Sequence, residues 1–223
     1  MGIQHLFEAG GVVMFPLLAF SVFAGALMIE RAKFWIQIGK RQNRVVREVF
    51  NLYRLDNVIS AVDKLQKNVD LPIARIFLAG LQLERPTPEK FRLALKSEAQ
   101  AEIPTLKRFQ AVFDTIIGLA PLLGLLGTIL GLIRSFAGLN VGDVGATKTG
   151  AVTAGISEAL VATATGLIVA IFVLLGASIF RGLYQRQITM IQEYGGQLEI
   201  LFLDRYEQQH ERYEQQEKSY GSR

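Results

Sequence analysis

The chain has 223 residues, half of them hydrophobic, and 24 Lys and Arg against 20 Asp and Glu, for a net charge of +4. That hydrophobic share, gathered into long uncharged runs, exceeds what a soluble domain of this size usually carries. The absence of cysteine excludes disulfides, thiolate nucleophiles and cysteine-ligated metals. His5 and His210 stand alone in polar segments, so we expect no metal site.

Three apolar runs are long enough to cross a bilayer core of roughly 30 Å, which takes about 20 helical residues. They cover residues 12–29, 115–133 and 159–180. Because lipid offers the backbone no hydrogen-bond partners, all three are predicted to be helices. No Lys or Arg precedes Arg31 and no small-residue cleavage site follows the first run, so it is predicted to be a retained span and not a signal peptide.

The basic residues predict the orientation. The first eleven residues carry none, the 37–108 segment carries fourteen, the 138–150 loop carries only Lys148 and the 181–223 tail carries six. By the positive-inside rule the N-terminus lies outside and the tail is cytoplasmic. Most of these cations lie on the predicted cytoplasmic side, where the positive-inside rule and anionic membrane lipids account for them. The net charge therefore does not indicate a nucleic-acid partner.

The predicted architecture is an all-α integral membrane protein with three transmembrane helices and long cytoplasmic helical extensions. Its segments are a periplasmic N-terminus (1–11), transmembrane helix 1 (12–36), a cytoplasmic helical insert (37–108), transmembrane helix 2 (109–137), a periplasmic loop (138–150), transmembrane helix 3 (151–180) and a cytoplasmic helical tail (181–223).

Two further helix predictions concern the cytoplasmic segments. In the insert, Thr87 or Pro88 opens a helix predicted to run to Arg108 and on into the second span. In the tail, the third helix is predicted to continue well past Phe180. RYEQQ occurs at 205–209 and again at 212–216, so three tyrosines recur at heptad spacing, which fits either a self-associating stripe or a solvated charged tail: Tyr206, Tyr213 and Tyr220.

Small residues form a stripe along each of the last two spans, at intervals of three and four residues. Another helix can approach such a stripe closely, whereas lipid gains nothing from it. The predicted packing residues are Gly124, Gly127, Gly131, Gly155, Ala159, Ala162 and Gly166.

Glu158 is the only acid in the 150–180 stretch. A carboxylate in hydrocarbon costs about 2.5–3.5 kcal/mol on insertion scales, so it needs a partner, a proton or water. Thr163 lies about 140° around the helix from Glu158, whereas Thr165 lies nearly beneath it. With Thr128 of the second span, these groups are predicted to border a narrow wet path; interfacial snorkelling of Glu158 is the alternative.

The other charges near the spans have simpler interpretations. Glu30 and Arg31 end the first span at the cytoplasmic face and are predicted to take part in an ion pair within or between helices. Asp114 opens the second span, where its negative charge is predicted to stabilise the N-terminal end of the helix. Arg134 fits an interfacial anchor or an ion gate.

The runs GLAPLLGLLGTILGLIRSF (118–136) and GISEALVATATGLIVAI (155–171), with the order of spans around them, resemble the ExbB/TolQ/MotA family of ion-driven membrane motors, most closely ExbB and TolQ. The resemblance implies a homopentamer in the bacterial inner membrane around two copies of a single-span ExbD- or TolR-like subunit. That subunit would carry the ion on its own membrane aspartate and rotate inside the ring, driven by the proton motive force. Glu158, Thr163 and Thr128 would be inner-lining residues.

Two departures from the family pattern bear on the ion. Many relatives have proline after Ala170 and Ile171, where this chain continues with Phe172, and an apolar residue is common at Thr165. One extra oxygen is compatible with Na⁺, which needs five or six oxygens, so H⁺ is the predicted ion and Na⁺ the alternative.

The resemblance implies a role in driving outer-membrane transport through a TonB-like protein, with no cofactor. The alternatives are a TolQ-like role in envelope maintenance and, more remotely, a passive membrane scaffold. An enzyme is not expected, because the chain has no phosphate-binding loop, histidine cluster or nucleophile arrangement.

Overall fold

The computed structural model describes residues 11–137 and 146–221, and all regular structure in those ranges is helical. The predicted N-terminal segment (1–11) and loop (138–150) therefore lie largely outside the described residues. The helices are α1 (Met14–Arg54), α2 (Val58–Gln66), α3 (Pro72–Leu81), α4 (Pro88–Ala101), α5 (Ile103–Leu106), α6 (Gln110–Ala137) and α7 (Ala146–Gly221).

Three helices are long and apolar enough to cross a membrane, and they contain the three predicted spans. We call these parts of α1, α6 and α7 spans 1, 2 and 3. The predicted all-α, three-span fold is confirmed. Span 1 belongs to a 41-residue helix of roughly 60 Å, because its only proline, Pro16, lies in the first turn, where the backbone N–H has no helical partner in any case.

The prediction that the third helix continues past Phe180 is also confirmed. α7 has 76 residues, roughly 110 Å, and runs through Gly195 and Gly196 without a break. Tyr206 packs near Phe202 and His210. The side chains of Tyr213 and Tyr220 lie outside the described ones, so the heptad stripe stays a prediction.

The expected continuous helix from Thr87 or Pro88 into span 2 is wrong. Thr87 does cap α4, accepting a hydrogen bond from the Lys90 amide at 3.3 Å. The helix then breaks after Ala101, where Pro104 lacks the N–H that an uninterrupted helix needs. A second turn follows at Phe109, whose φ of 66° is not helical.

The chain divides into two compact units. The membrane unit, Met1–Ala32 and Arg108–Arg181, contains the three spans. Their shared core is built from one face of each span: Val13, Leu17, Ala24, Phe113, Ile116, Ala120, Val169, Ala170, Val173 and Ala177. Large apolar side chains such as Leu122, Ile133 and Leu160 are exposed on the outer faces, as expected for helices that meet lipid or other subunits.

The second unit is Lys33–Lys107 with Gly182–Arg223. Its core surrounds α3, where Ile73, Ile76 and Phe77 are fully buried. Glu102 is buried and forms an ion pair with Arg75. The side-chain hydrogen bond within this pair raises the pKa of the Arg75 guanidinium.

Candidate functional site

Spans 2 and 3 approach each other at backbone distance. A Cβ atom on Gly166 would lie 2.5 Å from the Ala120 carbonyl oxygen, and one on Gly124 would lie 3.0 Å from that of Ala162. Farther along, a Cβ on Gly131 would lie 2.8 Å from the Gly155 carbonyl. The predicted packing stripes thus lie in one antiparallel contact between spans 2 and 3. A side chain larger than glycine at these positions would push the two helices apart.

Each of the three predicted threonine hydroxyls donates to a backbone carbonyl. Thr163 donates across the contact to Gly124 at 3.0 Å, whereas Thr165 donates within its own helix to Val161 at 2.8 Å. Thr128 donates to Leu125 at 2.6 Å. A hydroxyl oxygen retains acceptor lone pairs when it donates, so all three oxygens can still accept a proton donor or contact a cation.

Glu158 has a partner in span 2. The Arg134 Nη1 atom donates to the Glu158 Oε1 atom at 2.6 Å, and the Glu158 side chain is 20% exposed against 52% for Arg134. Gly11, at the entry to span 1, adopts a φ of +65°, and a Cβ atom there would collide with the Glu158 carboxylate. The starts of spans 1 and 3 and the end of span 2 therefore meet around one ion pair.

The predicted polar residues divide between two edges of the span 2–span 3 contact. Glu158 lies on the edge that span 1 covers, because it approaches Gly11 and because Gly176, on the same helical face, approaches Met28. Thr165 shares that face. Thr163 lies about 140° away, on the opposite edge.

Thr128 lies on that same opposite edge of the contact. It is about 100° around span 2 from Gly127, whose Cβ would contact Val13 of span 1. The structure therefore brings Thr128 and Thr163 to the edge that span 1 leaves open, which we call the open edge. It does not bring Glu158 or Thr165 there.

One ion pair lies at each end of the apolar segment of span 2. Arg134 and Asp114 are separated by 20 residues of span 2, about 30 Å, and the same distance is the thickness of a bilayer core. Asp114 lies 3.4 Å from Arg181 of α7. We therefore expect Glu158 and Arg134 at one boundary of the hydrocarbon layer, and Asp114 and Arg181 at the other.

The ion pair predicted at the end of span 1, within a helix or between helices, instead joins Glu30 of α1 to a residue in the turn that precedes α6. Glu30 lies 3.6 Å from Arg108, at the end of the membrane unit that also holds Asp114. Arg31, its neighbour in sequence, is 3% exposed. Among the described residues no group of three or more His, Asp or Glu could hold a metal ion, and His5 lies outside them.

Arg134 is the site residue whose role the sequence left open between an anchor and a gate. The two small-residue stripes in the sequence do indicate that its partner is Glu158. When the stripes are aligned antiparallel, with Gly127 against Ala162, position 134 falls opposite position 155. Glu158 is then one helical turn away, within reach of a long arginine side chain.

Comparison with known proteins places the chain in a family. Residues 68–193 match the model of the MotA/TolQ/ExbB proton channel family. The chain is 56% identical to the biopolymer transport protein ExbB-like 3 of Synechocystis sp. over 204 residues, covering 92% of this chain and 97% of that protein.

Two further relatives extend the match. Identity to ExbB-like 1 of Synechocystis sp. is 39% over 206 residues, covering 92% of this chain and 81% of the relative. Identity to the biopolymer transport protein ExbB of Neisseria meningitidis is 27% over 193 residues, covering 77% and 83%. The chain therefore belongs to the MotA/TolQ/ExbB proton channel family, as an ExbB-like multi-pass protein of the bacterial inner membrane and not an enzyme.

Proposed function

We propose that this chain is the channel-forming subunit of a motor driven by the proton motive force. Five copies surround two copies of a single-span ExbD- or TolR-like subunit, which rotates in the ring. Through a TonB-like protein, this rotation energises outer-membrane transport. The observation that carries the proposal is the open edge, where Thr128 and Thr163 are half-buried but not covered by span 1.

The open edge suits the passage of a partner helix. Spans 2 and 3 pack at backbone distance, so they form a stiff wall that can bear force. The wall is apolar except for the two hydroxyls, which offer transient stations to an ion-carrying carboxylate. An ion crossing the membrane supplies about 2.3 kcal/mol per charge per 100 mV, and neutralising the partner's carboxylate lets it pass the apolar sector.

The ion pair of Glu158 with Arg134 has a separate role in this proposal. A lone arginine at the predicted outer mouth would repel every incoming cation. Glu158 lies 2.6 Å from the Arg134 guanidinium and balances its charge. The acid at this position therefore keeps the outer end of the span 2–span 3 contact electrically neutral, so that cations approaching the open edge from outside meet no net positive charge there.

The arrangement of the hydroxyls favours H⁺ over Na⁺ as the coupling ion. Na⁺ needs about five or six oxygens around it, as other hard cations do. The additional Thr165 hydroxyl is bonded to Val161, on the edge covered by span 1, and so lies away from Thr163. It adds no ligand to the open edge.

We expect the complex with its single-span partner to conduct protons at the same rate in Na⁺ and K⁺ media. Proteoliposomes holding a pH-sensitive dye and an imposed membrane potential measure this. Liposomes with the chain alone serve as the control and are expected to be less permeable to protons by at least about tenfold, because the partner's carboxylate carries the ion. Flux that requires Na⁺ would establish the sodium-driven alternative, and equal flux with and without the partner would refute the proposed path.

A further inference from the structure

Asp114 lies on the open edge, at the end of span 2 that the basic residues predict to be cytoplasmic. It precedes Thr128 by 14 residues, which places it only about 40° from Thr128 around the helix and about 140° from Gly127, which faces span 1. Arg181 lies 3.4 Å from the Asp114 carboxylate and follows Thr163 by 18 residues, or five helical turns, so it shares the face of Thr163. The positions on both helices therefore place this ion pair on the open edge.

Asp114 differs from the other acids of the membrane unit. Among the described residues of this unit, the acids are Glu30, Asp114 and Glu158. Glu158 lies on the covered edge, where Arg134 holds it at 2.6 Å with 20% of its side chain exposed. Glu30 belongs to α1, on the other side of the span 2–span 3 contact. Asp114 is thus the acid that the described open edge presents.

The Asp114 carboxylate is held loosely enough to exchange a proton. It accepts from the Arg181 Nη1 atom at 3.4 Å, whereas charge-assisted hydrogen bonds of this type are usually about 2.7–2.9 Å long. The same guanidinium donates to the Ser178 hydroxyl at 3.4 Å, and the Asp114 side chain is 49% exposed. An ionised carboxylate has about four lone-pair sites, so most of them stay open to water.

The core of the membrane unit is closed beside this pair. Phe113 and Phe180 are the sequence neighbours of Asp114 and Arg181, and their rings stack with centroids 6.0 Å apart. Phe113 is 2% exposed. This apolar stack blocks the space between the helices, so water from this end reaches the carboxylate along the open edge.

Hydrogen-bond acceptors continue from Asp114 along the same side of span 2. Asp114, Pro121 and Thr128 recur every seven residues, each about 20° from the next around the helix. Proline has no N–H, so the Ile117 carbonyl lacks its helical donor. The Thr128 hydroxyl, this carbonyl and the Asp114 carboxylate are three acceptors spread over roughly 21 Å of helix. Such a row can hold the water through which a proton moves.

We propose that Asp114 is the acceptor through which protons leave the path on the cytoplasmic side. The partner's carboxylic acid gives its proton to water on the open edge and becomes a carboxylate. The Asp114 carboxylate takes up that proton and then releases it to the cytoplasm, which restores its own charge. Arg181 balances this charge between transfers. The inference rests on the proposed ion path and adds to it a residue to which the family resemblance assigned no role.

Partner-dependent proton flux of the full complex in proteoliposomes tests the inference. We expect Asp114→Asn to lower the flux about tenfold, since a positioned proton acceptor typically contributes about 100-fold or more and water offsets part of its loss here. Sodium azide, whose anion is a mobile proton acceptor, is expected to restore most of this flux, which it could not do if only a structural contact were lost. Asp114→Glu keeps a carboxylate and is expected to stay within about threefold of wild type.

The matched control is Glu30→Gln, which removes the acid that lies 3.6 Å from Arg108 at the same end of the membrane unit. It is expected to retain wild-type flux with and without azide. Unchanged flux in Asp114→Asn, a loss that azide does not restore, or an equal loss in Glu30→Gln would overturn the inference and leave the proposed motor standing. A wild-type complex without partner-dependent flux would overturn both. Thermal unfolding of each variant separates a loss of flux from a loss of fold.

Discussion

Replacing Glu158 with glutamine is expected to reduce partner-dependent ion flux about 100-fold while leaving the three-span fold intact. The substitution leaves the Arg134 guanidinium unbalanced at the predicted outer mouth. A cation that came within about 6 Å of this guanidinium would meet a barrier of about 3 kcal/mol at an effective dielectric constant of about 20, which corresponds to about two orders of magnitude in rate. Flux into proteoliposomes holding the complex measures the effect.

Two companion variants separate charge balance from other roles of the acid. Arg134→Gln leaves a lone carboxylate that attracts cations, so we expect flux within about threefold of wild type. The double variant Glu158→Gln/Arg134→Gln restores neutrality and is expected to recover most of the flux. Failure of the double variant to recover would show that the carboxylate itself carries ions. Full flux in Glu158→Gln alone would favour the passive scaffold.

Gly166→Ala is expected to destabilise the membrane unit by about 2–3 kcal/mol and to reduce assembly of the complex. The new Cβ atom would lie 2.5 Å from the Ala120 carbonyl oxygen and 3.1 Å from the Gly124 Cα atom, and both are backbone atoms that cannot rotate away. Overpacking a close contact typically costs this much. Thermal unfolding of the purified protein and the yield of complex with the partner measure it.

The matched control is Gly118→Ala in span 2. A Cβ atom on Gly118 meets nothing within 4 Å in this chain, and alanine is the better helix former by about 1 kcal/mol. Both substitutions replace a helical glycine with alanine. The opposite signs that we expect for their effects on the free energy of unfolding therefore come from the difference in packing. Equal stability of the two variants would contradict the close approach of spans 2 and 3.

The sequence predicts the fold because the signals for it are local. Uncharged runs of span length, small residues at helical spacing and the distribution of Lys and Arg require no knowledge of tertiary contacts. The Thr87 cap is equally local. So is the long α7, although Gly195 and Gly196 would have weakened an isolated helix by about 1 kcal/mol each.

The features that the sequence leaves open depend on which helices meet. The break between α4 and span 2 is an exception, because Pro104 is a local signal for it that the sequence carries. Only the turn at Phe109 has no such signal. The division of Glu158 and Thr163 between two edges depends on where span 1 packs. Their angular separation is readable from the sequence, but the neighbour on each side is not.

Cysteine crosslinking between this chain and its single-span partner tests the central claim most directly, because the chain has no native cysteine. Three single-cysteine variants are made: at Thr163 and at Thr128 on the open edge, and at Val22 of span 1, which is 65% exposed. Each is combined with a cysteine beside the partner's membrane carboxylate. The account predicts crosslinks from Thr163 and Thr128 and none from Val22. Crosslinks from Val22 with none from Thr163 would place the partner outside the wall formed by spans 2 and 3 and contradict it.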